Sequence, residues 1–334
     1  MNSFGKNFKF TIFGQSHSEA IGAIIEGMPS GFEPDLQALS AFMQRRAPGN
    51  SKLTTPRKEL DSVRFISGLF EGKTCGAPIA AAIFNENTRS SDYSAIKDTP
   101  RPGHADFTSM KKFGDSRDYT GGGQFSGRLT APLCIAGGLA IQALSQIGIA
   151  INARATSIGG KTGEAEMEEA ILSAKDDGDS VGGVIECVAK GVPVGLGEPM
   201  FGSVESLISQ SVFAIPAVKG IEFGNGFGCA DILGSENNDE FDFEGDKVVT
   251  KTNNHGGILG GITSGMPIVF RVAMKPTPSI AKRQQTVDMK RKEITEIEIA
   301  GRHDPCIVPR AIVCIEAACA VVIYDLVLEA NKWK

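Results

Sequence analysis

The sequence lacks the features of several common classes of protein. Its 334 residues contain 34 Lys and Arg against 39 Asp and Glu, which gives a net charge of −5. A general nucleic-acid-binding protein usually has a basic excess. No apolar segment follows residues 1–6, so no signal peptide is predicted. We therefore expect neither nucleic acid nor a membrane as a partner.

The cysteines and several absent motifs exclude further classes. The seven cysteines form no Cys-x-x-Cys pair and lie mostly in apolar stretches, which favours a reduced, cytoplasmic protein without a metal site. The Gly-Lys-Thr triplets at 72–74 and 160–162 fail as Walker A motifs, because Ser67 and Ala155 stand where the first glycine is required. The segment 121–127 lacks GxGxxG spacing, which argues against a Rossmann site. Neither HExxH nor GxSxG occurs.

Apolar periodicity and chain breakers predict a mixture of strands and helices. Strands are predicted at residues 8–13, 21–26, 63–67, 79–84, 152–158, 183–189 and 269–274. Helices are predicted at residues 35–46, 127–147, 165–175, 204–213 and 309–330. We expect residues 85–123 to form a long functional loop and residues 239–246 to form an acidic loop.

The helices predicted at 127–147 and 309–330 are apolar almost all round. Polar residues and glycines interrupt the first, which favours a buried core helix over a membrane span. Helices without a polar face need cover on two sides, so we expect an α/β fold with a helical layer between sheets. The chain has no low-complexity linker and no clean repeat, and residues 1–334 are therefore predicted to form a single domain.

The four histidines all lie in polar segments rich in glycine or flanked by proline. They are His17, His104, His255 and His303. One histidine in a loop is more often structural than functional, but four in such surroundings favour proton transfer, to which imidazole is suited near neutral pH.

Arginines accompany these segments and indicate an anionic ligand, because guanidinium groups bind phosphate and carboxylate with two hydrogen bonds. They are Arg45, Arg46, Arg57, Arg101, Arg117, Arg128 and Arg302. Glycine occurs 40 times, and segments 121–127, 256–261 and the turn 275–279 would let backbone approach a flat or phosphorylated ligand. The residues alone thus predict an enzyme acting on a small phosphorylated molecule by histidine-assisted proton transfer, and they leave the reaction open.

Several segments resemble the chorismate synthase family. Phe13-Gly14-Gln15-Ser16-His17 with Glu26-Gly27-Met28-Pro29 is similar to its first signature, and segment 123–131 to its second. Gly301-Arg302-His303-Asp304-Pro305-Cys306 with Glu316-Ala317 is similar to its third. Five further segments match in order, at 45–49, 92–97, 101–106, 195–199 and 254–261, so that the resemblance covers about residues 5–330.

The resemblance implies a fold and a reaction. The fold is of the α+β type, a sandwich with a helical layer between antiparallel sheets. The reaction is a lyase reaction of the shikimate pathway, the last common step towards aromatic amino acids. It converts 5-enolpyruvylshikimate 3-phosphate to chorismate and phosphate by 1,4-anti elimination, and it requires reduced FMN without net redox change. NADPH would be an indirect electron source, delivered by a separate flavin reductase, and the family's assembly is a homotetramer built as a dimer of dimers.

The resemblance also implies roles for individual residues. The catalytic group comprises His17 for protonating the departing phosphate, His104 for acting on the reduced flavin, and Asp304 with Ser16 for relaying a proton. Flavin contacts would come from Gln124, Phe125, Ser126, Ala217, Gly260, Lys275, Pro276, Thr277, Pro278, Ser279 and Arg302. Substrate anions would be held by Arg45, Arg46, Arg101, Arg128 and Arg302. Arg46 and Lys52 stand at positions that contact NADP in the family.

Two other classes of function share part of this pattern. An NADPH-dependent flavin oxidoreductase would need the same anion and flavin contacts, but it would show net redox turnover of its substrate. A phospholigand-binding protein without enzymatic activity would bind without releasing phosphate. It would leave the grouping of Ser16, His17, His104 and Asp304 without a purpose.

Overall fold

The computed structural model of the chain describes residues 2–49, 61–85, 96–299 and 304–333. The helices in these residues are α1 (Leu36–Arg46), α2 (Asp106–Phe113), α3 (Thr130–Ser145), α4 (Glu164–Asp176), α5 (Val204–Phe213), α6 (Gly234–Asn237) and α7 (Val308–Ala330). The strands are β1 (Ser3–Phe4), β2 (Lys9–Phe13), β3 (Ala20–Glu26), β4 (Arg64–Ser67), β5 (Leu69–Phe70), β6 (Lys73–Thr74), β7 (Ile79–Phe84), β8 (Ala150–Ile158), β9 (Gly183–Lys190), β10 (Val218–Phe223), β11 (Phe241–Glu244), β12 (Lys247–Thr250), β13 (Ile258–Leu259), β14 (Ile262–Thr263), β15 (Ile268–Met274), β16 (Gln284–Asp288) and β17 (Glu293–Ile297).

Two antiparallel sheets contain the longer strands. One has the order β1-β2-β3-β7-β4 and the other the order β10-β15-β9-β8. The remaining strands pair as two-stranded hairpins, β5-β6, β11-β12, β13-β14 and β16-β17. Alternating burial along β9 and β15 turns one face of the second sheet towards the core, as expected for strands covered on one side.

The helical layer lies between these sheets. Helix α3 packs against α7, α1 and strand β3, and α7 packs against β8 and β9. The two helices approach closely because α3 has a glycine at the crossing: a Cβ on Gly137 would lie 2.3 Å from the Cβ of Ala317. The predicted helical layer between antiparallel sheets is thus confirmed, whereas the single-domain organisation stays a prediction.

Residues 127–145 and 308–330 form two helices that are long and apolar enough, by length and composition, to cross a bilayer. In the protein, 78% and 83% of their most apolar windows are buried. Their burial between the two sheets accounts for sequences without a polar face, as expected for core helices.

Two predicted loops were wrong in part. The acidic loop expected at 239–246 contains strand β11, in which Phe241 and Phe243 alternate with acidic residues. That alternation has the period of a strand, and the high charge concealed it. The long loop expected at 85–123 contains α2, which has only eight residues and few apolar ones. Residues 86–95 of that segment lie outside the described residues.

Candidate active site

A glycine loop brings together two of the predicted catalytic histidines. The loop follows α2, and Gly121, Gly122 and Gly123 all adopt positive φ. A Cβ on Gly121 would lie 2.5 Å from Cδ2 of His17 and 2.7 Å from Oγ of Ser16. A Cβ on Gly122 would lie 3.4 Å from Nε2 of His104. Residues with side chains would be strained in this backbone and would displace His17, so glycine is required there.

His104 belongs to a cluster centred on a buried carboxylate. Its Nδ1 lies 2.7 Å from Oδ1 of Asp106. Arg101 donates from Nε to Oδ2 of Asp106 at 2.7 Å and from Nη2 to Oδ1 at 2.9 Å. Burial alone would raise the pKa of Asp106, but hydrogen bonds from Arg101 and His104 outweigh it and hold that pKa well below its usual value. A carboxylate only accepts, so Nδ1 of His104 carries a proton and Nε2, facing Gly122, is the nitrogen that can exchange one.

The turn 275–279 adjoins this cluster. Nη1 of Arg101 donates to Oγ of Ser279 at 3.1 Å, and Nζ of Lys275 donates to the carbonyl of Gly103. Pro278 is close to the same glycine, since a Cβ on Gly103 would lie 3.4 Å from the Cβ of Pro278. Burial and the neighbouring charge of Lys219 lower the pKa of Lys275. The charged form of Lys275 is therefore disfavoured at this site, and an anion bound beside it would stabilise that charge.

Asp304 lies on the other side of this turn. Its backbone carbonyl accepts a hydrogen bond from Oγ1 of Thr277 at 2.8 Å. Its carboxylate accepts from Nη1 of Arg310, in the first turn of α7. The side chain of Asp304 is 12% exposed, so its carboxylate is mostly shielded from solvent.

Arg46 and Arg128 meet at a second buried carboxylate. Arg46 donates from Nε to Oδ2 of Asp61 at 2.7 Å, and Arg128 donates from Nη1 to Oδ1 at 2.5 Å. Nε of Arg128 donates to Oδ1 of Asn85 at 3.1 Å. The fractional exposures of Arg46, Asp61 and Arg128 are 2%, 7% and 8%. Arg46 and Arg128, two of the predicted substrate arginines, are therefore held in place by the same carboxylate of the protein.

Arg45, next to Arg46 on α1, points to a different acceptor. Its Nη1 and Nη2 bind the two carboxylate oxygens of Glu316 at 2.6 and 2.9 Å. Oε1 of Glu316 also accepts from the backbone N–H of Ala153 at 2.9 Å. The hydrogen bonds to Glu316 raise the pKa of Arg45. Arg45 remains about half exposed, and Glu316 is almost fully buried.

The other predicted flavin positions occupy turns. Gln124 and Phe125 end the glycine loop, and Ser126 caps the following turn by accepting at Oγ from the N–H of Arg128. Ala217 has a positive φ of 74°, and its carbonyl accepts from the N–H of Lys275 at 2.9 Å, which places it beside the turn 275–279. Gly260 is in the tight turn between β13 and β14. The predicted residues Lys52 and Arg302, and also His303, lie outside the described residues.

Four charged partners of the predicted site residues were not predicted as site residues. Asp61, Asp106 and Glu316 accept from the predicted arginines, and Arg310 donates to Asp304. Asp106 and Glu316 stand inside segments that carry the family resemblance, so a signal for them existed. Asp61 and Arg310 had no such signal, because only the tertiary structure brings them to their partners. Asp61 pairs with Arg46, 15 positions away, and Arg310 pairs with Asp304 in the loop before α7.

Comparison with known proteins assigns the family. The sequence profile described as chorismate synthase matches residues 8–328. Chorismate synthase of Dehalococcoides mccartyi is 44% identical over 354 residues, covering 99% of this chain and 97% of that protein. Chorismate synthase of Methanocaldococcus jannaschii is 44% identical over 368 residues, with coverage of 99% and 97%. A crystal structure of a chorismate synthase has a TM-score of 0.74 and 28% identity, covering 98% of this chain and 93% of its own. The chain therefore belongs to the chorismate synthase family of shikimate-pathway lyases.

Proposed function

We propose that the protein converts 5-enolpyruvylshikimate 3-phosphate to chorismate and phosphate by 1,4-anti elimination. One C–H bond and the C–O bond to phosphate break, a second double bond forms in the ring, and the substrate is neither oxidised nor reduced overall. The observation that carries this proposal is the glycine loop 121–123, which sets His17 and Ser16 on one side and His104 on the other. The proposed reaction needs one proton donor for the departing phosphate and a second proton-exchanging group beside the reduced flavin, and the two histidines provide them.

The residues around the turn 275–279 fit a flavin mononucleotide. Burial and the neighbouring charge of Lys219 lower the pKa of Lys275, and an anionic phosphate monoester bound there would stabilise the charged form of Lys275. The backbone of the glycine loop exposes a face without side chains beside His104, where a flat ring system can approach. When bound in its reduced form, the flavin supplies electron density that assists departure of the phosphate and is recovered afterwards.

Each histidine then has a separate task. His17 holds a proton for the departing phosphate oxygen, and Ser16 beside it helps to orient that proton. His104 holds its Nδ1 proton on Asp106, which fixes the ring and leaves Nε2 to exchange a proton next to the flavin. Asp304 relays the proton that the substrate loses. General acid or base groups in such positions contribute about 10²–10⁴-fold to a rate.

The arginines provide the anionic subsites. Arg101 presents its guanidinium group at the edge of the histidine cluster, and Arg128 lies in the turn before α3, where the positive end of the helix dipole also attracts anions. Arg45 is the more exposed of the two arginines on α1 and can reach a carboxylate of the substrate. Arg46 is buried and binds Asp61, which in turn holds the guanidinium of Arg128 in place.

Phosphate release in the absence of oxygen tests the proposal. The protein is incubated with the enolpyruvyl substrate and FMN, with and without dithionite, and phosphate and chorismate absorbance are measured. We expect release only with reduced FMN. Equal rates with oxidised FMN, or no release with reduced FMN, would reject the assignment.

We further propose that NADPH serves only indirectly, that the protein acts in the cytoplasm, and that it assembles as a homotetramer. The first statement is supported by segment 121–127, whose spacing differs from that of a dinucleotide fingerprint. Anaerobic protein with FMN and NADPH should be inactive until a separate flavin reductase is added. Turnover without the reductase would contradict the indirect role, and light scattering would measure the assembly.

A further inference from the structure

Arg310 occupies an unusual position for a buried cation. It is the third residue of α7, and its side chain is 20% exposed. The positive end of the helix dipole lies at this terminus, so a cation there is unfavourable. Burial lowers the pKa of Arg310, and the charge of Asp304 offsets only part of that shift. Helix stability does not account for this residue, because Pro309 already favours the helix start.

The guanidinium of Arg310 is fixed at two of its edges. Nε donates to the backbone carbonyl of Arg46 at 2.9 Å, at the end of α1, where helix carbonyls lack partners within the helix. Nη1 donates to Oδ2 of Asp304. Because the group is planar, the bond to Arg46 determines the direction in which Nη1 points. The backbone of Asp304 is held separately by Thr277, so both the chain and the carboxylate are positioned.

We propose that Arg310 is a positioning residue that orients the Asp304 carboxylate for proton transfer. This inference rests on the proposed function, in which Asp304 relays the proton that the substrate loses. Arg310 need not contact substrate, since its two hydrogen bonds join the end of α1 to Asp304. Lysine at position 310 would keep the charge but could not hold both acceptors in one plane.

A double-mutant cycle tests the proposal. The variants are Arg310→Met, Arg310→Lys, Asp304→Asn and the double variant Arg310→Met/Asp304→Asn. Arg154→Met is the matched control, because its guanidinium pairs with Glu186 at 2.9 Å on the exposed side of β8. For each protein, kcat and KM for the enolpyruvyl substrate are measured with reduced FMN. Thermal melts of the same proteins without flavin or substrate provide a readout that is independent of activity.

We expect Arg310→Met to lower kcat when Asp304 is present and to have little effect when Asp304 is replaced by Asn. Arg310→Met should lower kcat about 10–100-fold, the usual effect of removing a partner of a functional side chain, with KM changed much less. Arg310→Lys should lie between that variant and the wild type, and Arg154→Met should retain activity. In the Asp304→Asn background, Arg310→Met should change kcat less than about threefold, because it acts through a carboxylate that is already gone.

Two results would overturn the inference. One is an equal fold-loss from Arg310→Met in both backgrounds, and the other is a kcat in Arg310→Met close to that of the wild type. If Arg310→Met does not fold, Arg310→Lys with and without Asp304→Asn completes the same cycle. A wild-type protein that releases no phosphate would reject the proposed function, and the melts would then still decide on the pair: non-additive shifts support it and additive shifts refute it.

Discussion

The clusters around Asp61 and Asp106 share one plan but differ in their cations. Each has a buried carboxylate that accepts from two basic side chains. The partners of Asp61 are both arginines, Arg46 and Arg128, and are nearly inaccessible to solvent. One partner of Asp106 is an imidazole, and its ring faces the open side of Gly122.

This difference in cations gives the two clusters different capabilities: the Asp61 cluster can position charges, and the Asp106 cluster can also exchange a proton. A guanidinium keeps its proton throughout the physiological range, so the Asp61 cluster can only fix charges in place. An imidazole exchanges a proton near neutral pH, and a carboxylate on its second nitrogen sets which nitrogen does so. We infer that the Asp106 cluster takes part in the reaction, whereas the Asp61 cluster orders the surface that binds the anions.

The largest expected effect is on turnover in the Asp106 cluster. His104→Ala should lower kcat about 10²–10⁴-fold while the fold remains intact. His255→Ala is the matched control. The Nδ1 of His255 accepts from the N–H of Gly257 at 2.8 Å in a hairpin segment, so its loss should lower the melting temperature and leave kcat of the folded protein unchanged. Steady-state kinetics and thermal melts of both variants measure this, and a His104→Ala enzyme with normal kcat would assign His104 to structure.

A second prediction concerns stability, for which we expect the larger effect in the Asp61 cluster and the smaller one in the Asp106 cluster. Asp61→Asn leaves two buried guanidinium groups without a counter-charge and should reduce the free energy of unfolding by about 3–5 kcal/mol. Asp106→Asn should cost about 1.5–3 kcal/mol, because the amide oxygen can still accept from Arg101, which also keeps its bond to Ser279. Urea denaturation measures both values. A larger loss in Asp106→Asn would contradict the division of roles.

The smallest effect is a pH dependence of stability specific to Asp106. Its pKa is lower in the folded than in the unfolded protein, so its contribution is complete above the unfolded value of about 3.9 and is lost as pH falls towards the folded value. The difference in unfolding free energy between wild type and Asp106→Asn should therefore be constant near neutral pH and shrink below about pH 4. A difference that grows as pH falls would contradict the assigned sign.

Asp288 provides the control for this pH series. Its pKa is also lowered, by backbone hydrogen bonds from Arg291 and Lys290, and it lies at the end of β16 in the β16-β17 hairpin. Backbone N–H groups hold the Asp288 carboxylate, whereas a guanidinium and an imidazole hold Asp106, so Asp288→Asn should give a shallower pH dependence than Asp106→Asn. Equal slopes in the two variants would show that burial of Asp106 among cations has no special effect.

The sequence predicted the elements of this fold better than its ion pairs. Asp35 caps α1 at the start of the helix predicted for residues 35–46, and the two apolar helices lie between sheets as their composition indicated. The short helix α2 and the charged strand β11 were not predicted, because each has too few residues to show a clear apolar periodicity. The clustering of arginines indicated an anion site. Sequence periodicity does not show which carboxylate pairs with which guanidinium, so the pairing of Asp61 with Arg46 could not be predicted.

The oxidation state of the flavin during turnover tests the central claim most directly. Under anaerobic conditions, substrate in large excess over reduced FMN is added to the protein, and flavin absorbance, chorismate and phosphate are followed together. The proposed elimination predicts equal amounts of chorismate and phosphate, both far exceeding the flavin, with the FMN still reduced at the end. Oxidation of one FMN for each product molecule would contradict it and favour an oxidoreductase.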